Sequence, residues 1–584
     1  MRRGSVVVTA PHRSARRGDA LLRQLERDAL AFGAGRATVK LEALDRLERL
    51  RLSSPGAVRR LHELLCFLRA YPDDAAVLHR VERLLGAFHR RADLRRFCNR
   101  LADSGIAGTE IRYRFFWFTA VWLARRWPDH LHVDWPELGR GSGLEPLLRL
   151  LVPYSESAAM EDVTLSPRQW VERLRGPHVT DATFLVRRFE ALHADGFLRE
   201  MLYERLDPPL RLTPGAGAPS RTQARYTALP VVYRRRPLER SRPDLRQAVR
   251  LRPLAVRAVP RREASRIIDL ARESMVTRSR DLDSFEHANP DDVRLVDCGD
   301  GLQFACIGLV PERRALLDSI YGYVTFQSGV PIGYVLSSAL FGSALVAYNV
   351  FETFRGAESA RNYGKVLAML RSVFGCDTFA VDPYQLGHHN AEGLTSGAWW
   401  FYYKLGFRPT DPGVRRRVRA EVARLRAHPG ARSSRATLQQ LSSAHVFLHL
   451  GRPRSDVLGR LQLGNVSLHV ADFLSRRFGA EREAGLRTCA EEASHILGGR
   501  SRATFSPGER LAWERWGPLV LLLPGIERWS STEKQHLVRA ICAKGDRNEA
   551  AFVPLYDSHR KLRRAILTLS RRPASGLRSR RRDP

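Results

Sequence analysis

Apolar residues along the chain change their spacing twice. From Asp19 to about Asp207 they recur at helical intervals: Leu21, Leu22, Leu25 and Leu30, then Leu61, Leu64, Leu65 and Leu68, with further helices over Val77 to His89 and Phe115 to Trp127. From Leu251 the rhythm shortens to alternation. It predicts a strand over Leu251 to Val259, a helix over Arg262 to Met275, and strands over Val293 to Val296, Leu302 to Leu309, Tyr321 to Phe326, Ile332 to Leu336 and Ser343 to Phe351. Cys298-Gly-Asp-Gly301 and Ser328-Gly329 are turn signals between pairs of these strands. After Pro409-Thr-Asp-Pro-Gly413 the helical rhythm returns, over Val414 to Ala427, Ala436 to Leu450, Val466 to Phe478, Glu483 to Leu497, Pro507 to Leu523 and Ser531 to Ala543.

The fold class expected is α/β, a central mixed sheet flanked by helices between mainly α-helical N- and C-terminal domains. The divisions are a helical domain over 1–210, a Pro/Gly/Arg-rich linker over 211–250, the sheet-bearing domain over 251–412, a helical domain over 413–569 and a basic disordered tail over 570–584. Ile320 to Phe351 carries no charge, long enough to span a bilayer, but glycines, serines and a proline divide it into short pieces. Buried central strands explain that pattern, and no membrane span is expected.

Chemistry concentrates at Phe351-Glu-Thr-Phe-Arg-Gly-Ala-Glu-Ser-Ala360. Upstream lies the apolar strand; downstream Tyr363, Val366, Leu367, Leu370, Val373 and Phe374 make one face of a helix. A strand-to-helix turn of small residues brings unpaired amides close to a ligand, and helix N-terminal amides favour phosphate. Cys376 to Val381 follows as a strand, Tyr384 to Asn390 as a loop, and Glu392 to Leu405 as a helix stopped by Gly406.

This order, closing in Tyr402-Tyr-Lys-Leu-Gly-Phe407, resembles the GNAT superfamily of N-acetyltransferases over roughly Leu251 to Asp411. Arg355 and Ala360 match the first and last positions of that family's Arg/Gln-x-x-Gly-x-Gly/Ala loop, while Glu358 stands in place of its middle glycine. The resemblance implies a GNAT-like sheet and an acyl-CoA-dependent N-acyltransferase using acetyl-CoA or another acyl-CoA as cosubstrate. It implies that Arg355, Gly356, Ala357, Ser359, Ala360 and Asn390 hold the cofactor and that Tyr402 protonates the leaving thiolate. Glu352, and His388 or its neighbour His389, are candidates for drawing the proton from an unidentified amine. A Glu358 carboxylate aimed at the pyrophosphate would oppose binding; aimed elsewhere, it leaves the amides to work.

Net charge modifies this picture. The 584 residues carry +34, and all but six of the 96 basic residues are arginine. Such a surface attracts polyanions, but arginines interleaved with acids along most helices are solvated faces. An alternative function follows: a non-catalytic GNAT-like module in a basic helical scaffold binding nucleic acid or a protein. Seven cysteines without a Cys-x-x-Cys pair suit a reducing cytoplasm and suggest neither zinc nor disulfides. His445 and His449, one turn apart on the expected helix, are core residues rather than metal ligands, and no metal is expected. Gly139-Arg-Gly-Ser-Gly143 is a plain loop, with no strand before it.

Overall fold

A computed structural model describes residues 10–33, 35–139, 143–498 and 505–572, with side chains from residue 18 onward. Arg140 to Ser142 of the glycine-rich stretch and 573–584 of the expected tail lie outside the described residues. The α/β class holds, as a large mixed sheet flanked by helices.

The N-terminal region is helical with one addition. Strands β1 (Ile111–Tyr113), β2 (Leu131–Val133) and β3 (Leu210–Leu212) form a small antiparallel sheet in the order β1-β3-β2. Three residues are too few to display alternation, so the sequence pattern misses them. This sheet and the helix Trp117–Arg126 share a core of their own, with Trp117, Leu123, Phe189 and Tyr203 buried in it.

The main sheet has nine strands: β4 (Ala255–Ala258), β5 (Ala288–Asp297), β6 (Leu302–Leu309), β7 (Ser319–Gln327), β8 (Val330–Leu340), β9 (Ser343–Val350), β10 (Thr378–Val381), β11 (Arg408–Pro409) and β12 (Val446–His449). Their order is β11-β12-β10-β9-β8-β7-β6-β5-β4, and only β9 and β10 run parallel. The charge-free stretch is therefore three central strands, and no described helix is long and apolar enough to cross a membrane. Ser328 and Gly329, and again Phe341 and Gly342, adopt positive φ as two-residue hairpin turns demand. Phe341 is not a natural left-handed residue. Asp557, from the C-terminal region, holds the turn by accepting the Phe341 and Gly342 amides at 2.7 Å each.

Three expectations are corrected. The helix expected over 436–450 stops at Leu441, and Val446–His449 leaves it to become β12, antiparallel to β10. A β-branched and aromatic tetrapeptide buried on both faces gains more from sheet pairing than from one more helical turn. His445 consequently precedes a strand and His449 ends it, so the two are not one helical turn apart, and the sheet draws a strand from beyond residue 412. The single helix expected over 392–405 is two, Ala391–Ser396 and Ala398–Lys404, because Gly397 turns left-handed at φ 68°.

The expected linker is packed against the rest of the chain. Ser220, Arg221, Thr222 and Tyr226 are buried. Arg221 donates to the Ser104 carbonyl at 3.0 Å and pairs with Glu63 at 2.5 Å, while the Tyr226 amide donates to the Gly329 carbonyl at 2.8 Å. Proline and glycine fix an extended path but do not say whether it runs in water; here the arginines are its anchors.

Candidate functional site

β9 stays paired to β8 as far as Val350, opposite Gly333, but pairs with β10 only through Ser343, Ala344 and Leu345. From Val346 onward its β10-facing edge is open. The chain then passes through a 3-10 turn, Glu352–Phe354, and enters the helix Ser359–Phe374. Gly356 sits at φ 76°, and a Cβ there would meet nothing within 4 Å, so the loop needs its glycine for conformation rather than for space. The first main-chain bond of the helix runs from the Asn362 amide to the Glu358 carbonyl at 2.8 Å. The amides of Ser359, Ala360 and Arg361 precede it and have no intrahelical acceptor, as in any first turn.

Glu358 is turned away from this opening. Its carboxylate is buried and forms a forked ion pair with Arg234, accepts from Arg361 at 3.3 Å, and takes the Glu239 amide at 3.1 Å. The guanidinium of Arg234 lies over the Tyr71 ring at 5.2 Å. The acidic residue inside the loop is thus paired away from the cavity lining described below, and it ties the 234–239 segment to the helix start.

A cavity of about 410 Å3 opens between the loop, β9 and the two helices at 391–404. Arg355, Gly356, Ala357, Ser359, Ala360, Asn390 and Tyr402, all expected at the site, line it. Tyr402 is almost fully buried, its ring against Tyr363 and Phe407. Burial raises its phenol above the ordinary value, and a hydrogen bond with the Tyr348 main chain offsets part of that. Asn390 also caps the helix Ala391–Ser396, accepting from the Gly393 amide at 3.0 Å and donating to the Tyr384 carbonyl at 3.0 Å. Arg355 is engaged by Glu392, which Arg280 also contacts at 3.1 Å.

Two expected residues lie apart. Glu352 is largely exposed and pairs with Arg59 at 2.7 Å in a neighbouring pocket. His388 meets His389 edge to face, ring centroids 4.2 Å apart, and neither lines the cavity. Sequence reasoning missed Arg240 and Arg242, which line it from the presumed linker, and Tyr348 and Asn349, which line it from β9. The cluster Arg234-Arg-Arg236 was visible as basic. That its neighbours reach the strand-to-helix turn required the fold.

Beyond the open edge lies a second cavity of about 880 Å3, on Leu345, Val346 and Ala347 of β9, and Gln385 lines both cavities. Its charged lining among the described residues is Glu200, Glu204, Asp281, Asp283 and Asp382 against Arg313. Arg313 pairs with Glu200, and Asp382 lies 3.4 Å from His445. Asp281 accepts the Phe116 amide at 2.9 Å and the Thr119 hydroxyl at 2.8 Å; its burial pushes it up to about 6. No protein-family model, curated protein or solved structure matches this chain.

Proposed function

We propose that the chain is an acyl-CoA-dependent N-acyltransferase, moving an acyl group, acetyl in the simplest case, from a thioester to an amine. One observation carries this reading. The first turn of helix Ser359–Phe374 and the Tyr402 phenol face the same cavity, at the edge where β9 leaves β10. The GNAT resemblance asks for that combination, and the parallel β9–β10 pair inside an otherwise antiparallel sheet supports it. The amides of Ser359, Ala360 and Arg361 suit a pyrophosphate, with Arg240 and Arg242 adding positive charge. On the edge of β9 past Leu345, where Tyr402 takes a Tyr348 main-chain group and Arg355 the Val350 carbonyl, the main-chain groups still open offer hydrogen bonds to an extended amide-bearing arm. Tyr402 holds a proton that its raised pKa keeps in place until a thiolate leaves. Neither Glu352 nor His388 faces the cavity, so the proton that the amine sheds on attack passes to solvent, from which Tyr402 recovers the one it gives to the thiolate.

The alternative of a non-catalytic scaffold draws on the acid in the loop. Glu358 buried between Arg234 and Arg361 answers that objection, because its charge is spent within the protein. Calorimetry with acetyl-CoA separates the two. Saturable binding with a micromolar to millimolar Kd, the usual range for a cosubstrate, is expected. Tyr402→Phe is expected to keep that binding while thiol release with an accepted amine falls about 100-fold or more. Absence of heat up to millimolar acetyl-CoA overturns the enzyme reading, and steeply salt-dependent binding of RNA or DNA in its place supports the scaffold.

A further inference from the structure

The two cavities that share Gln385 differ in sign, and the far one resembles a receptor for a cation. Its carboxylates come from separate segments: Glu204, Asp281 with Asp283, and Asp382. Between them the floor is apolar, formed by Leu282, Leu309, Ile320 and Leu336. A ligand matching this surface has positive ends joined by methylenes. Acids alone do not make a site, but two polar side chains among them lack a hydrogen-bond partner. Ser284 is 5% and His287 8% exposed; both line the cavity. No hydrogen bond from a described residue reaches the Ser284 hydroxyl or the His287 ring. The carboxylate oxygens near that ring are those of Glu200 at 3.8 Å and Glu286 at 3.9 Å, with Phe118 edge-on at 4.9 Å. Their polar atoms open onto the cavity, so a ligand entering it reaches both without displacing a protein partner.

We propose that this cavity receives the acceptor amine of the acyl transfer, and that the acceptor is a small aliphatic diamine or polyamine. One ammonium group is held by Glu204 and Asp283, the methylene chain lies on the apolar floor, and the amine at the other end, as the free base that attacks the thioester, donates an N–H to His287. The inference rests on the acyltransferase reading for the word acceptor, but not for the cavity's ligand class. Glu204 and Asp283 are exposed at the rim, within reach of a ligand, and Glu204 also accepts the Trp117 amide. The imidazole of His287 is neutral at pH 7, because burial, with Arg313 and Arg272 nearby, pushes it down to about 4, so a ring nitrogen is free to accept. A volume of about 880 Å3 suits a small molecule.

The test uses the full chain, with 1,4-diaminobutane, spermidine and 1-aminobutane as probes and two readouts: calorimetric binding without acyl-CoA, and thiol release with acetyl-CoA. The diamine and spermidine are expected to bind at least about tenfold tighter than the monoamine, since one end meets Glu204 and Asp283 while the other meets His287. Glu204→Gln with Asp283→Asn is expected to remove that preference while leaving acetyl-CoA binding unchanged. His287→Gln is expected to weaken diamine binding severalfold, and its far-ultraviolet circular dichroism checks that it folds. Equal binding of diamine and monoamine, or acetylation of a lysine-containing peptide but not of spermidine, overturns the proposal. Acetyl-CoA that fails to bind while the diamine binds tightly overturns the acyltransferase reading alone.

Discussion

The two cavities flanking the open edge of β9 share one residue and have opposite electrostatics. On the loop side, Arg240, Arg242 and Arg355 face Glu392 alone; on the far side five carboxylates face Arg313. A chain with a net charge of +34 can put an arginine beside an anion almost anywhere, so the loop side alone says little about selection. Keeping five acids around one cavity in such a chain is the more informative arrangement. Charge at a site is decided by which segments the fold brings together, and the chain's total predicts the sign of only one of the two.

The sharpest way to break the contrast is at Glu358, the acid within the cationic side. Replacing it by glycine restores the residue that the family resemblance asks for, and in that light looks like a repair. The structure predicts damage. Arg234 and Arg361 would lose the carboxylate that they share, and the Glu239 amide its acceptor. Removing one partner of a buried ion pair costs about 3–5 kcal/mol. Urea unfolding of Glu358→Gly should show a loss of that order, with Glu358→Gln less affected because it keeps an acceptor for the amide. Unchanged stability together with improved acetyl-CoA binding would mean that Glu358 obstructs the loop rather than bracing it.

Legibility in the sequence followed the range of each signal. The hairpin strands from 288 to 350, the strand-to-helix turn and the helix after it were readable because alternation, turn dipeptides and helical spacing are local. β12 was lost because Val446 to His449 reads equally well as the end of a helix; its pairing with β10 is a contact across more than sixty residues. Gly397 was passed over since a single glycine within a helical pattern is often tolerated. At the site, Tyr402 and the loop residues came from one motif, whereas Arg240 and Arg242 sit in a segment whose composition suggested solvent. The acidic cavity had no sequence signal: Glu204, Asp283 and Asp382 are far apart in the chain, and each is ordinary in its own neighbourhood.

A more moderate change tests whether the loop side draws on those two arginines. Arg240→Ala with Arg242→Ala leaves the helix amides, Arg355 and Tyr402 in place. Acetyl-CoA affinity is expected to fall about tenfold, with a weaker dependence on salt, since exposed cations act through screened attraction. Dephospho-CoA measured alongside shows where they act. If both ligands lose equally, the arginines serve the pyrophosphate; if only acetyl-CoA loses, they serve the 3′-phosphate.

The smallest expected effect concerns Glu286, which lies behind His287 on the acidic side. Burial, helped by Asp281, Asp283 and Glu200 and opposed by the Phe118 amide, pushes its carboxyl up to about 8. His287 lies beside it, and Arg272 donates to its own carbonyl at 2.9 Å. In the unfolded chain a glutamate ionises near its ordinary value, so between the two values the folded protein binds more protons than the unfolded one. Stability contributed by Glu286 is therefore fully present at acid pH and is lost as pH rises toward 8. His287, lowered to about 4, acts oppositely, as do His62, His132, His449 and His559, whose folded values burial also lowers; their effect fades above the unfolded value near 6.5. From pH 6.5 to 8 Glu286 titrates together with Glu273, which burial raises to about 7. Across that window Glu286 should contribute a fall on the order of 1 kcal/mol. Glu286→Gln should flatten the slope by that share, read as the difference in urea midpoint between the two pH values. A diamine in the adjoining cavity should flatten it as well, because its positive charge lowers the carboxyl's pKa toward the unfolded value. An identical slope with and without saturating diamine would place the cation too far from Glu286 to sense it, leaving the rim acids Glu204 and Asp283 to hold the ligand alone.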